Sequence, residues 1–171
     1  MALPSPWVVR FARLFRPAGK VLDVASGAGR NARWLSDAHF HVTAVDRDRA
    51  ALDCSGAAVT VCADLETGEK VLDGHTFDAV VVTNYLHRPL FPAIKRWLGP
   101  EGILVYETFA VGQEAYGRPT NRDFLLQRGE LLSAFSELAI VAFEEGIALD
   151  GDPRVVQRLC ARRNAALSTL S

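Results

Sequence analysis

Residues 21–35, with the sequence VLDVASGAGRNARWL, restrict the fold of this chain more than any other segment. An apolar run that contains Asp23 leads into a turn with Gly27 and Gly29, and the residues after the turn have a helical pattern. Glycine permits the backbone conformations of a tight turn, and the N-terminus of the next helix directs free N–H groups at a ligand. The segment therefore predicts a strand, a turn and a helix that together bind a nucleotide.

Strands and helices alternate along the rest of the chain. Apolar and β-branched runs predict strands at 20–25, 41–46, 58–64, 77–84, 102–109, 138–145 and 154–162, and helical patterns predict helices at 7–15, 29–37, 48–54, 89–98 and 129–136. Such alternation requires parallel strands joined by right-handed crossovers. Only GIALDGDP separates the last two strands, which favours an antiparallel hairpin. We expect a single α/β domain, 1–171, with a doubly wound, Rossmann-like, seven-stranded sheet that is mostly parallel and ends in this hairpin.

Composition excludes several classes of protein. A formal net charge of -1 over 171 residues argues against a nucleic-acid binder, because such proteins carry a basic excess. No run of about 18 apolar residues is present, so no membrane span is expected. Arg10, Arg13 and Arg16 interrupt what would be the apolar part of a signal peptide, and we expect a cytoplasmic protein. The three cysteines lack metal-binding spacing, so we expect them to be reduced and mostly packed.

Two kinds of nucleotide fit the turn, a nicotinamide dinucleotide and S-adenosylmethionine. GAGRNA fits the dinucleotide pattern G-x-G-x-x-A, and Asp46 follows at a spacing that a ribose-binding acid in a dehydrogenase tolerates. Asp23, however, would repel a pyrophosphate, whereas it suits the ammonium and sulfonium groups of S-adenosylmethionine. Asp64 is placed to accept a hydrogen bond from an adenine amino group, and no second domain remains for a nicotinamide substrate. These features favour S-adenosylmethionine.

Three stretches resemble motifs of class I S-adenosylmethionine-dependent methyltransferases. DVASGAGR resembles their acid-x-Gly-x-Gly-x-Gly turn, with Ala25 in place of the first glycine; VTAVDRD resembles the second-strand acid motif; and LGPEGILVYE resembles the turn before strand five. GRNARWL and YETF…GRP are also similar to small-molecule methyltransferases of the tellurite-resistance type. The resemblance implies a methyltransferase that uses S-adenosyl-L-methionine and releases S-adenosyl-L-homocysteine.

The resemblance also implies roles for individual residues. It places Asp46 on both ribose hydroxyls, Asp64 and the Leu65 backbone on adenine, and Asn84 near the methionine part of the cofactor. The predicted cofactor-binding residues are Asp23, Ala25, Gly27, Gly29, Arg30, Asn31, Asp46, Arg47, Asp64, Leu65 and Asn84.

One part of this assignment leaves an alternative open, and a further prediction concerns the N-terminal segment. Arg30 and Asn31 lie in the first predicted turn of a helix, where they face either the cofactor carboxylate or solvent. Residues 1–19 are predicted to form a helical lid, with Trp7 over the cofactor.

The methyl acceptor is expected next to the segments that follow the fourth and fifth strands. The sequence Asn-Tyr-Leu-His at 84–87 lacks both prolines of the Asn-Pro-Pro-aromatic turn, which argues against methylation of adenine or glutamine nitrogen. His87 is a candidate base near neutral pH, or a helix-start histidine without a catalytic role. Glu107 is a second candidate base, or one half of an ion pair with an arginine. The predicted catalytic residues are His87, Glu107 and Tyr85.

The segment 110–127 is longer than most connections, and such loops are often functional. We predict a lid over the acceptor, anchored to the core by Phe124, Leu125 and Leu126; a plain surface loop is the alternative. Arginine can hold a carboxylate or phosphate bidentately, so Arg118 predicts an acceptor with negative charge. The predicted substrate-binding residues are Arg88, Tyr116, Arg118 and Asn121.

The leading hypothesis is the transfer of a methyl group to a small-molecule acceptor that is anionic or a soft nucleophile. Such an in-line displacement depends on positioning and desolvation and needs no metal. We expect a monomer or homodimer without membrane or nucleic-acid partners. Three alternatives stay open: methylation of RNA or protein, a cofactor-binding partner subunit without activity of its own, and a dehydrogenase.

Overall fold

The strand Lys20–Val24, β1, lies near the centre of a seven-stranded sheet. The computed structural model describes residues 2–67 and 70–163, so parts of the predicted domain 1–171 (residues 1, 68–69 and 164–171) lie outside the described residues. The other strands are β2 His41–Asp46, β3 Val59–Cys62, β4 Phe77–Thr83, β5 Leu98–Phe109, β6 Ala139–Ala148 and β7 Arg154–Arg162. Their order is β3-β2-β1-β4-β5-β7-β6, and β7 runs antiparallel to both neighbours. The predicted mostly parallel sheet with an antiparallel C-terminal hairpin is confirmed.

Within the described residues, five α-helices cover the two faces of the sheet. They are α1 Pro6–Phe11, α2 Arg30–Asp37, α3 Arg49–Asp53, α4 Phe91–Trp97 and α5 Glu130–Ala134. The first three pack on one face and the last two on the other. All five are shorter than predicted. For α1 and α4 the reason is that 3₁₀ turns at Ala12–Leu14 and Arg88–Leu90 take up residues that the periodicity assigned to these helices. None of the helices in the described ranges is long and apolar enough to cross a membrane.

The apolar run of β4 is buried almost throughout, and its side chains pack alternately on the two faces of the sheet. Val80 and Val82 pack in the cluster below α4 and α5, whereas Ala79 and Val81 pack in the cluster below α1 and α2. Each fully buried valine stabilises the fold by about 1.5–3 kcal/mol relative to an exposed one. The central strands therefore form a rigid platform whose carboxyl ends carry the loops described below.

The N-terminal helix α1 is part of this core. Ser5 caps it, with its hydroxyl accepting from the backbone N–H groups of Trp7 and Val8. Trp7 is 2% exposed, and its indole N–H donates to the Leu159 carbonyl at 3.2 Å. The sequence predicted that residues 1–19 form a lid with Trp7 over the cofactor. The burial of Trp7 corrects this part of the prediction, because a side chain packed against β7 is not free to open and close.

Gly29 is required by packing between two backbone segments. It has a φ of 72° and comes directly before α2. A Cβ atom at Gly29 would lie 2.5 Å from the Cα of Ser55, which is buried at the end of α3. Gly29 therefore serves the packing of the chain against itself as well as the turn before α2.

Gly29→Ala is expected to destabilise the protein more than Gly27→Ala. Both glycines have positive φ, which costs an alanine about 1–2 kcal/mol. A Cβ at Gly27 meets nothing within 4 Å, whereas at Gly29 it overlaps Ser55. Overpacking of this kind adds about 1–3 kcal/mol. Urea unfolding of the two variants measures the difference, and equal free energies of unfolding would contradict the packing role of Gly29.

Candidate active site

Asp46 ties together the loops that follow β1 and β2. Its Oδ2 accepts from the Gly27 N–H at 2.7 Å and its Oδ1 accepts from the Asp48 N–H at 2.9 Å. Ala25, at the start of the first loop, has a φ of 51°. It thus adopts the left-handed conformation that the glycine of the resembling motif permits, at a cost of about 1–2 kcal/mol. The two loops form one rigid edge at the carboxyl end of the sheet.

A cavity of about 400 Å³ opens at this edge. Its size lies within the range of small-molecule sites. It is lined by Ala25, Asp46, Arg47, Ala63, Asp64, Leu65, Glu66, Asn84, Tyr85 and Phe124. Six of the predicted cofactor-binding residues are among them: Ala25, Asp46, Arg47, Asp64, Leu65 and Asn84. Three carboxylates and one guanidinium give the cavity a predominantly acidic wall.

Asp23 lies beneath the first loop and is 1% exposed. Neither of its oxygens makes a well-aligned hydrogen bond within the described part of the chain. Burial raises the pKa of Asp23 to about 7; Asp46 adds to this rise, while the Ala32 N–H and Arg30 partly oppose it. A buried carboxyl group without a partner is costly, so a cation placed beside it would be strongly favoured.

Asn31 is committed to the protein's own contacts. Its Oδ1 accepts from the Ser5 N–H at 2.9 Å, and its Nδ2 donates to the Thr83 hydroxyl at 2.9 Å. At 2% exposed it joins α1, α2 and β4. The prediction that Asn31 binds the cofactor is therefore corrected to a structural role. Arg30 is partly exposed and lines neither this cavity nor the next one.

A second cavity of about 420 Å³ adjoins the first. It is lined by Glu66, Asn84, Tyr85, Leu86, Thr108, Phe109, Arg118, Pro119 and Phe124. Four of these residues, Glu66, Asn84, Tyr85 and Phe124, line both cavities. The two spaces thus share a wall, so molecules bound in them would lie side by side.

Comparisons with known proteins agree with this arrangement. A family model described as a methyltransferase domain matches residues 22–106, about half of the chain. The chain belongs to the S-adenosylmethionine-dependent methyltransferases. Its cofactor is accordingly S-adenosyl-L-methionine, with S-adenosyl-L-homocysteine as the product. No curated protein sequence matches this methyltransferase significantly.

Solved structures share the fold of the methyltransferase. TehB from Haemophilus influenzae superposes with a TM-score of 0.77 at 18% identity; the match covers 92% of this chain and 61% of TehB, less than two thirds of its length. An S-adenosylmethionine-dependent methyltransferase from Mesorhizobium loti gives 0.70 at 19% identity, covering 93% and 99%. The glycopeptide N-methyltransferase MtfA, complexed with S-adenosyl-L-homocysteine, gives 0.67 at 18% identity, covering 95% and 90%. At these identities the likeness shows the fold alone.

Glu107 is not available as a base in this methyltransferase. It is 1% exposed, accepts from the Ser5 hydroxyl at 2.9 Å, and forms an ion pair with Arg158. Arg158 in turn pairs with Asp150 at 2.6 Å. The prediction of a catalytic Glu107 is corrected to its stated alternative, an ion pair with an arginine.

The two other predicted catalytic residues differ in position. His87 precedes the 3₁₀ turn at Arg88–Leu90 and lines neither cavity, and its assignment as a base stays a prediction. Tyr85 lies in the shared wall. Burial, together with Glu66 and Asp64, raises the pKa of Tyr85 to about 12. Its hydroxyl therefore stays protonated near neutral pH and can donate a hydrogen bond.

Arg88 anchors the segment after β5 and does not line the second cavity, so its predicted substrate role is corrected. Its guanidinium pairs with Glu130 at 2.7 and 3.0 Å and donates to the carbonyls of Asp123 and Leu125 at 2.7 and 2.9 Å. These contacts attach the segment to the start of α5. The guanidinium thus makes four hydrogen bonds within the protein.

The predicted loop 110–127 borders the second cavity through Arg118, Pro119 and Phe124. Leu125 and Leu126 are fully buried, as expected of anchors, but Phe124 is 48% exposed and lines both cavities instead. Tyr116 is exposed, and Asn121 accepts from the Asp123 N–H at 3.0 Å to cap a 3₁₀ turn. Neither lines the first or the second cavity, and both predicted substrate contacts stay predictions.

Sequence reasoning missed three residues that shape the site. Ser5 holds Asn31 and Glu107 from the N-terminal segment, and nothing in its neighbourhood in the sequence indicates this. Glu66 and Phe124 form the wall shared by both cavities. Their proximity to the predicted acid Asp64 and to Arg118 was the available signal.

Two of the three cysteines, Cys54 and Cys62, are exposed, contrary to the expected packing.

Asp23→Asn is expected to change how stability depends on pH. The pKa of Asp23 rises from 3.8 to about 7 on folding. Between these values the folded state keeps a proton that the unfolded state has released, so stability falls as pH rises through this window. Between pH 5 and pH 8 the loss from this group is roughly 2–3 kcal/mol. Urea unfolding at both pH values should show that the asparagine variant escapes this loss.

The control for this experiment is Asp53→Asn, which removes an exposed carboxylate at the end of α3. It should lose stability with pH as the wild type does. A fixed cost of the buried asparagine amide shifts both measurements of Asp23→Asn equally and leaves the difference intact. Parallel pH profiles for wild type and Asp23→Asn would show that Asp23 does not titrate in this window.

Proposed function

We propose that this methyltransferase transfers the methyl group of S-adenosylmethionine to a small-molecule acceptor that carries a negative charge. The observation that carries the proposal is the second cavity, which adjoins the acidic one and has Arg118 in its wall. A volume of about 420 Å³ suits a small molecule. Methylation of RNA is less well supported, because the formal net charge of the chain is -1 and nucleic-acid binders carry a basic excess.

The residues of the first cavity fit the cofactor. Asp46 would accept from the ribose hydroxyls, and Asp64 and Leu65 would hold the adenine. Asp46 and Asp64 both line this cavity; Asp46 also accepts from the backbone N–H groups of Gly27 and Asp48, and Asp64 from that of Glu66. Asp23, buried below the loop without a good partner, would be compensated by the cofactor's positive charges.

The chain contributes to the reaction by positioning the methyl donor and the acceptor. When bound, S-adenosylmethionine supplies an electrophilic methyl group on a sulfonium. Tyr85 and Phe124 lie in the wall that the two cavities share, and the protonated Tyr85 hydroxyl orients a polar group by donating to it. Holding two reactants in line converts a bimolecular step into an effectively unimolecular one.

The test of the function uses the purified chain alone. Calorimetry should show binding of S-adenosyl-L-homocysteine and none of NADP. Transfer of labelled methyl from S-adenosylmethionine to one compound in a pool of small carboxylates should follow. Tight NADP binding would favour the dehydrogenase alternative, and activity that appears only with a second protein would favour a partner subunit.

Asp46→Ala is expected to weaken the binding of S-adenosyl-L-homocysteine. Loss of a hydrogen bond to a charged group costs about 1.5–3 kcal/mol, or roughly 10- to 150-fold in the dissociation constant. Calorimetry measures the change, and Asp53→Ala is the matched control, because Asp53 is exposed and lies outside both cavities. An unchanged dissociation constant in a folded Asp46→Ala protein would remove Asp46 from the cofactor site.

Arg118→Ala is expected to weaken carboxylate binding without affecting the cofactor. With the protein saturated by S-adenosyl-L-homocysteine, the affinity for benzoate should fall about tenfold or more, because a charge-assisted hydrogen bond is lost. Arg122→Ala is the control, since Arg122 is exposed in the same segment and lines neither cavity. If both variants bind benzoate like the wild type, Arg118 does not contact the acceptor.

A further inference from the structure

The two charged residues of the second cavity occupy different parts of its wall. Glu66 belongs to the wall that this cavity shares with the cofactor cavity. Arg118 lines the second cavity only. The negative end of the cavity therefore lies beside the cofactor space, and the positive end lies away from it. The charges of the wall therefore favour one orientation of a dipolar molecule bound in this cavity.

Both charges are open to a ligand. In the ranges 2–67 and 70–163, the contacts of Glu66 and Arg118 involve their backbones: the Glu66 N–H donates to Asp64 at 2.9 Å, and the Arg118 carbonyl accepts from Gln113 at 3.1 Å. Neither side chain forms a salt bridge or a hydrogen bond within these ranges. The guanidinium of Arg88, in contrast, donates hydrogen bonds to Glu130 and to two carbonyls.

Aromatic rings line the space around the negative end. Tyr85 and Phe124 lie in the shared wall with Glu66, and Phe109 lines the second cavity. The faces of aromatic rings attract cations, and aromatic cages are a common means of binding amines and ammonium groups. A carboxylate combined with aromatic walls is therefore suited to a nitrogen centre rather than to an oxyanion or a carboxylate.

We propose that the acceptor is a small molecule with an amine and a carboxylate, and that the amine nitrogen receives the methyl group. Glu66 and the aromatic rings hold the nitrogen beside the cofactor cavity, and Arg118 holds the carboxylate at the far end. This proposal rests on the proposed function and extends it by naming the nucleophile. It also assigns Glu66 as a substrate-contacting residue.

The reaction balances without a further reactant. The ammonium form of the acceptor releases one proton to water. The nitrogen lone pair then forms the new N–C bond as the carbon–sulfur bond breaks, and that bonding pair stays on sulfur, which becomes a neutral thioether. The positive charge moves from sulfur to the methylated nitrogen. The negative charge of Glu66 favours the charge at its new position.

Three matched probes separate the two charges. L-phenylalanine has an amine and a carboxylate, phenethylamine has only the amine, and 3-phenylpropanoate has only the carboxylate. Calorimetry with protein saturated by S-adenosyl-L-homocysteine should show that L-phenylalanine binds more tightly than either of the others. Methyl transfer from labelled S-adenosylmethionine should give an N-methyl product, identified by mass spectrometry.

Two variants assign the charges to their residues. Glu66→Gln should weaken phenethylamine and L-phenylalanine about tenfold or more and leave 3-phenylpropanoate within about twofold. Arg118→Ala should weaken 3-phenylpropanoate and L-phenylalanine and spare phenethylamine. Glu101→Gln and Arg122→Ala are the controls, since both residues are exposed and lie outside the two cavities. Thermal unfolding checks that each variant is folded.

The outcomes distinguish this proposal from the proposed function. If 3-phenylpropanoate binds in an Arg118-dependent manner while the amine adds nothing, the anionic acceptor stands and the amine is wrong. Any of three further results also overturns the amine proposal. They are unchanged probe selectivity in Glu66→Gln, methylation of oxygen or sulfur only, and no binding of any probe at millimolar concentration. Failure of S-adenosyl-L-homocysteine to bind overturns the proposed function itself.

Discussion

The carboxylate of Asp46 is the interaction on which the site depends. Its two oxygens hold the Gly27 and Asp48 N–H groups, so the loops after β1 and β2 keep one arrangement. Without this bridge, each loop would have backbone donors to satisfy separately. The parallel pairing of β1 with β2 and with β4 then places these loops beside Asn84. The cofactor cavity is a consequence of the sheet order together with one bridging side chain.

The fold could be predicted from the sequence because its signals are local. The apolar run of β4 and the glycine turn before α2 each determine their own conformation. Residue roles that depend on distant partners could not be predicted in this way. Glu107 accepts a hydrogen bond from Ser5, 102 positions away, and forms an ion pair with Arg158. The sequence shows a glutamate at the end of a strand, but not which side chains the fold brings against it.

In the candidate site, too, residues that follow predicted strands could be predicted, whereas residues whose role depends on distant partners could not. Asp46 and Asp64 follow predicted strands at the carboxyl edge, where parallel topology brings them together, and both line the cofactor cavity. Arg88 and Arg118 have the same chemistry and lie in comparable loops, yet only Arg118 reaches the second cavity. Arg88 is instead paired with Glu130 and hydrogen-bonded to two carbonyls. No local pattern separates an arginine that holds the protein from one that faces a ligand.

The anchors of the segment after β5 also determine which part of it can change. Gln113 accepts from the Val155 N–H at 2.8 Å at one end, and Arg88 holds the Asp123 and Leu125 carbonyls at the other. Residues 114–121 lie between these fixed points and are mostly exposed. Sequence changes there alter the outer wall of the second cavity without disturbing the sheet. Evolution can therefore diversify the chemistry of this scaffold by exchanging one short surface segment while the methyl-donor half stays constant.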